Sequence, residues 1–211
     1  MRDEPQDQAS RITRAFDELA HDYDHAHHDA IANALLDLVR PTPSGAAADV
    51  ACGSGAVAVA LAAMRDPDAS PILAVDLSPA MIESGRVRAE QGGVADRIEW
   101  RVGQAVPLQV PDASLDLVCC ASSLHFLGAT ALADWRRALR PGGQVGFTLP
   151  AASAFRAGGV FAELVATDLP LPDSADGACR IATDAGYVAA RAGTLSLGSR
   201  TFILVTAHTR S

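Results

Sequence analysis

The chain has 211 residues, 49% of them hydrophobic and 20% charged, with 17 basic residues against 25 acidic ones and a formal net charge of −8. These values suit a single globular domain with a sizeable core, and an acidic chain with no basic stripe argues against a nucleic-acid partner. The opening "MRDEPQDQAS" lacks an apolar run of the signal or anchor kind, and the longest uncharged stretch, 117–133, is too short and too polar for a membrane span, so a soluble cytoplasmic protein with no membrane partner is expected.

In chain order, Ile12, Ala15, Phe16 and Leu19 recur at helical spacing over 8–20, and Tyr23 continues the stripe. "HDYDHAHHDA" follows, with four of the six histidines between His21 and His28. A second helix is predicted over 29–39, with Asp29 as N-cap and Pro41 ending it. "AAADVA" (46–51) reads as a buried strand, and glycines lead from it into the helical run "AVAVALAAM". "PILAVD" (71–76) is a second strand, and "SPAMIESGRVRAE" a helix with Ser78 as N-cap and Pro79 in its first turn.

"RIEWRV" alternates, with Ile98, Trp100 and Val102 on one side, as a strand near a sheet edge would; "SLDLVCCAS" is almost continuously apolar, as a central parallel strand would be. The helix "TALADWRRALR" is stopped by "PGG", and "QVGFTLP" is a fifth strand. A looser stretch to about residue 180 holds one predicted helix, "FAELVATD". The end, "YVAARAGTLSLGSRTFILVTAH", reads as a hairpin around a Gly-Ser-Arg turn. The alternation predicts an α/β fold: a Rossmann-like, doubly wound, seven-stranded sheet, mostly parallel, with a C-terminal antiparallel hairpin and helices on both faces.

Cys52, Cys119, Cys120 and Cys179 show no C-x-x-C spacing, which favours small core residues in a reducing compartment over a disulfide scaffold or a zinc cluster. The turn Asp49-Val50-Ala51-Cys52-Gly53-Ser54-Gly55 leaves a strand and opens a helix. Gly53 and Gly55 let the backbone approach a ligand, and the helix start offers free N–H groups to a carboxylate or phosphate. Asp76 ends the next strand, where a carboxylate can accept both hydroxyls of a ribose. Together these point to a nucleoside-containing cofactor. A dinucleotide fingerprint G-x-G-x-x-G would have its third glycine at position 58, where alanine stands and is tolerated; position 51 is alanine as well.

Over nearly its whole length the sequence resembles the class I S-adenosylmethionine-dependent methyltransferases. The matching pieces are "FDELAHDYD", "ADVACGSG", "AVDLSPAMIESGR", "VGQAVPLQVPDASLDLVCCASSLHF", "WRRALRPGGQVGFT" and "DAGY". The nearest flavour is the small-molecule branch that includes the ubiquinone/menaquinone-biosynthesis enzymes. The resemblance implies one domain over 1–211: a helical lid (1–40), a cofactor-binding core (46–150), and a short substrate-side segment with the final hairpin (151–211). It implies that Asp49, Ala51, Cys52, Gly53 and Gly55 hold the methionine part of S-adenosylmethionine, and that Asp76 binds the ribose. Leu77 and Met81 would pack beside the adenine, and Gly103, Gln104 and Ala105 would reach its edge. Ala121 and Ser122 would face the amino group and the transferring methyl, and Tyr23 would lie near the methionine end. The family usually has Asp where Gln104 stands and often glycine where Ala51 stands. Gln keeps an amide oxygen for the adenine amino group but lacks the charge.

The implied reaction is an in-line displacement onto a small-molecule acceptor, at an O, N or C atom, releasing S-adenosylhomocysteine. In such a reaction the protein mainly aligns the acceptor and excludes water. His125, past the fourth strand where open α/β sheets bind ligands, is expected as a base or acceptor-orienting group, the alternative being a histidine that caps the next helix. Within the cluster, His21 and His25 at i, i+4 or the pair His25 and His28 would suit zinc, but no tight ligand set forms and no metal is expected. His28, with His25 and His27, is a candidate for the acceptor side, the alternative being a solvated loop. A modest, largely apolar acceptor, phenolic or quinone-like, fits the short 151–187 region. Monomer and homodimer both stay open. The alternatives are an enzyme that uses bound S-adenosylmethionine for cyclisation or decarboxylation, and a non-catalytic sensor.

Overall fold

Seven apolar segments pair into one sheet: β1 (Ala47–Val50), β2 (Ile72–Asp76), β3 (Ile98–Val102), β4 (Leu115–Cys120), β5 (Leu139–Pro150), β6 (Val188–Leu197) and β7 (Arg200–His208). The computed structural model describes residues 11, 13–18, 25–156, 158 and 160–211. The sheet order is β3-β2-β1-β4-β5-β7-β6. β1 pairs in parallel with β2 and β4, β2 with β3, and β4 with β5. Only β7 runs antiparallel, against β5 on one side and β6 on the other. The predicted doubly wound sheet with its final hairpin is the observed fold.

Helices cover both faces. α2 (His25–Val39), α3 (Ala56–Met64) and α4 (Pro79–Gln91) bury Leu35, Leu36, Leu61 and Ala89 against one face. α5 (Leu124–Leu127), α6 (Thr130–Ala138) and α8 (Ala175–Asp184) bury Leu124, Trp135, Ala178 and Ala182 against the other. Before them α1 covers 13–18, and α7 spans Val160–Leu164. Central β4 is buried at five of its six residues, which is why it reads as an unbroken apolar run. β3 is the sheet edge as expected, although Val102 at its end is 52% exposed.

Four expectations are corrected. Helix α2 starts at His25, so Asp29 is not an N-cap; its carboxylate pairs with Arg88 instead. The "FAELVATD" helix is one short turn, Val160–Leu164. The "TALADWRRALR" helix ends at Ala138, and the backbone is already extended at Leu139. Helix α8 has no counterpart in the sequence reading. Ser174 opens it by accepting the Gly177 N–H at 3.1 Å, and only small Ala178 and Ala182 face inward fully buried, so its apolar stripe is faint. Among the described residues no helix is long and apolar enough to cross a membrane.

Candidate functional site

The carboxyl ends of β1, β2 and β4 open onto one cavity enclosing about 800 Å³, part of it open to solvent. Its first wall is the turn after β1. Ala51, Gly53 and Gly55 all have positive φ, at 50°, 53° and 72°. At Gly55 a Cβ would come within 2.3 Å of Trp100 Cη2, so the turn lies flat against the indole from β3. From the other side the turn is tied by Ser54, whose Oγ accepts Arg88 Nη1 at 3.0 Å and contacts His25 Nδ1 at 3.2 Å. The Cys52 N–H donates to the Val75 carbonyl at 3.0 Å.

Two carboxylates face this cavity. Asp49 is 1% exposed and accepts the Ala58 N–H, in the first turn of α3, at 2.9 Å. Burial pushes its pKa up to about 8, against the pull of that N–H, and nearby Asp76 adds to the rise. Asp76 accepts the Gly53 N–H at 2.8 Å and the Ser78 N–H at 2.9 Å, and its pKa is raised by burial more than those two bonds lower it. Among the described residues no arginine lines the cavity. A buried carboxylate and a half-buried one with no arginine beside them among those residues favour a cationic ligand, because a positive charge would restore the ionised form that desolvation disfavours.

Leu77, Ala105 and Ala121 line the same cavity, as do Ala51, Cys52 and Gly53. Other expected residues do not. Met81 is fully buried in the core, with its N–H donating to Ser78 Oγ. Gly103 supports the site through its N–H to the Asp76 carbonyl at 2.8 Å, and Gln104 is exposed. Tyr23, like His21, lies outside the described residues. Ser54, within the turn through Gly55, lines the cavity too, and so do Phe16, Ala56, Val57, Ser123, Phe126 and Leu127, which the sequence does not single out. Phe126 stands next to His125 in "SSLHFL". Phe16 arrives only through tertiary packing. Helix α1 lies beside α4 because Asp17 accepts from Ser78 Oγ and, at 3.3 Å, from the Ala80 N–H. Cys119 and Cys120 are core residues as expected, whereas Cys52 is part of the site; burial holds its thiol well above the usual range and therefore neutral.

His28 and Phe126 also line a second, solvent-open cleft of about 1190 Å³, part of that volume being open solvent, together with His27, Ser122, His125, Phe155, Phe161 and Phe202. Rings dominate it: His125 lies 4.0 Å from Phe126 and 5.2 Å from Phe155 between centroids, and His27 lies 5.3 Å from Phe202. Phe16 bridges the two cavities, 6.0 Å from Phe126 and 5.4 Å from Phe161. Of the six phenylalanines only Phe147 belongs to the sheet core instead.

His125 is 6% exposed, and burial lowers its pKa to about 4, so the ring is neutral at ordinary pH. It does not cap the next helix: the Ala129 N–H at the start of α6 is taken by Asp168 Oδ2 at 3.1 Å. Its Nδ1 and the Ser122 Oγ are buried and have no hydrogen-bond partner among the described residues; a buried polar group left so costs about 1–3 kcal/mol, which a ligand's hydrogen bond would offset. Ser122 also has a positive φ of 64°, held by its N–H to Thr148 Oγ1 at 2.8 Å. The histidine cluster is thus divided. His25 braces the glycine turn, His27 packs on Phe202, and His28 stands between the cavities. Among the described residues no group of three or more His, Cys, Asp or Glu is placed to hold a metal ion.

A family model described as a methyltransferase domain matches residues 47–143. The chain is 32% identical over 151 residues to a ubiquinone/menaquinone biosynthesis C-methyltransferase of Paracoccus denitrificans, covering 66% of this chain and 58% of that protein. It is 33% identical over 141 residues to the nocamycin O-methyltransferase of Saccharothrix syringae, covering 64% and 49%. The chain therefore spans only about half to three fifths of these relatives. In fold it matches a Haemonchus contortus phosphoethanolamine N-methyltransferase 2 solved with phosphomonomethylethanolamine and S-adenosylhomocysteine. That match has a TM-score of 0.64 at 17% identity, over 85% of this chain and 52% of that one.

Proposed function

We propose that the chain is a class I S-adenosylmethionine-dependent methyltransferase, akin to the ubiquinone/menaquinone-biosynthesis enzymes it is similar to, and that it methylates a small-molecule acceptor. The observation that carries the reading is the pair of carboxylates, buried Asp49 and half-buried Asp76, at the strand ends of a cavity lined by no arginine among the described residues. S-adenosylmethionine supplies a sulfonium-bound methyl group and an ammonium, both cationic, together with a ribose.

The donor set fits that molecule. Asp49 suits the ammonium, and Asp76, with lone pairs left beyond its two backbone N–H bonds, suits the ribose hydroxyls. The glycine turn and the first turn of α3 offer N–H groups and positive dipole to the amino-acid carboxylate. Leu77 and Ala105 give the adenine apolar sides, and Tyr23 is assigned to the methionine end on the family resemblance alone. Ser122 and Ala121 border the transfer point.

The second cavity is then the acceptor chamber. Its ring-lined walls favour a flat, apolar acceptor body, in keeping with relatives named as a ubiquinone/menaquinone biosynthesis C-methyltransferase and a nocamycin O-methyltransferase. A neutral His125 orients an acceptor hydroxyl by hydrogen bonding; with its pKa near 4 it is a poor proton sink until the acceptor's own charge raises it. His28, between the cavities, is the second candidate to touch the acceptor.

Incubation with methyl-labelled S-adenosylmethionine and a panel of phenols and quinols tests the reading. The expected result is label in the acceptor and one S-adenosylhomocysteine per methyl transferred. Acceptor conversion without S-adenosylhomocysteine would instead mean a cyclisation or decarboxylation on the same scaffold.

A further inference from the structure

The second cavity has an uneven distribution of charge. Among the described residues no aspartate or glutamate lines it, whereas Arg156 and Arg200 both do and both are exposed. Arg156 donates to the carbonyls of Phe155 at 2.7 Å and Ser153 at 3.3 Å, neutral partners that leave its charge uncompensated. Arg200 has no side-chain hydrogen bond or ion pair among the described residues.

Position along the hairpin separates this charge from the polar groups near the first cavity. Phe202 pairs with Pro150, the last residue of β5, so Arg200 lies two residues beyond the strand end, about 7 Å farther out along β7. Ser122 and His125, with their unpartnered Oγ and Nδ1, directly follow β4 beside the residues that line the first cavity. The chamber therefore has a hydrogen-bonding end next to the first cavity, aromatic sides, and a cationic rim.

We propose that the acceptor carries a hydroxyl at one end of a flat apolar body and a carboxylate at the other. Ser122 and His125 hold the hydroxyl, Phe155 and Phe202 sandwich the body, and Arg156 with Arg200 hold the carboxylate. The planar guanidinium fork matches a carboxylate by two parallel hydrogen bonds, which a neutral end group cannot make. This rests on the first cavity being the S-adenosylmethionine site.

The test uses the full chain saturated with S-adenosylhomocysteine, titrated calorimetrically with 6-hydroxy-2-naphthoate and, separately, with its neutral methyl ester. The acid should bind about five- to tenfold more tightly than the ester at low salt, with the difference shrinking at 1 M salt as Arg charges are screened. The double variant R156Q/R200Q should bring the acid down to the ester's affinity while leaving the ester and S-adenosylhomocysteine affinities unchanged. Equal binding of acid and ester by the unaltered chain, or no binding of either, overturns the proposal and leaves the cofactor reading standing. Failure of S-adenosylhomocysteine itself to bind removes both.

Discussion

Asp49 makes cofactor affinity depend on pH in a direction that can be worked out. In the empty site its pKa is about 8, against 3.8 in a solvated chain. A folded pKa above the unfolded one means that this group favours folding at low pH. That contribution is complete below about 4 and is lost, at about 1.4 kcal/mol per pH unit, as pH rises toward 8. An ammonium placed beside the carboxylate demands its ionised form. About 1% of Asp49 is ionised at pH 6 and about 9% at pH 7, so affinity for S-adenosylhomocysteine should rise about tenfold between them and flatten above pH 8. At pH 6.5 each binding event should release nearly one proton, read by calorimetry in buffers of different ionisation enthalpy. Asp49→Asn should bind weakly with no pH slope and release no proton. A wild-type affinity flat between pH 6 and 7 would refute the argument.

Three further outcomes follow from the site. Because His125 titrates near 4 when folded and at 6.5 when solvated, its contribution to stability is present above pH 6.5 and lost as pH falls toward 4. Urea unfolding at pH 7 and 4.5 should therefore show a stability loss about 2–3 kcal/mol smaller in His125→Gln than in the wild type; equal losses would place the ring in water. Gly55→Ala puts a Cβ at a φ of 72° and within 2.3 Å of Trp100, and should cost about 2 kcal/mol or more in urea unfolding. A cost under about 0.5 kcal/mol would show that the turn is not pinned there. Gln104→Ala should change S-adenosylhomocysteine affinity less than about twofold, since the side chain is exposed outside the cavity lining. A tenfold loss would restore it to the adenine edge.

That Asp49, the glycine turn and Asp76 meet at one cavity is legible in the sequence because their placement follows from local order: strand end, turn, helix start. Central β4 and β7 are legible because burial on two faces leaves an apolar run that survives any register, and the hairpin is legible from the Gly-Ser-Arg turn before β7. What escaped depends on distant pairing. Trp100 alternated like any edge-strand residue, and nothing local indicated that its ring would lie under Gly55. Phe16 and Phe126 are 110 positions apart and meet through tertiary contacts of α1, with Asp17 at the start of α4, Arg11 paired with Glu163 and Phe16 against Phe161. The family resemblance assigned Met81 to the adenine, but the helix turns that residue into the core. The histidine cluster looked like one feature and is several, since α2 starts at His25 and helical rotation directs His25, His27 and His28 to different neighbours.

The central claim is that the cavity at the ends of β1 and β2 holds S-adenosylmethionine through Asp49 and Asp76. Calorimetric titration of the purified chain with S-adenosylhomocysteine, beside Asp76→Ala at the same pH and with folding checked by its melting curve, tests it most directly. One-to-one binding by the wild type and at least a tenfold loss in a folded Asp76→Ala are predicted. No binding by the folded wild type, or equal affinities for the two proteins, would contradict the account.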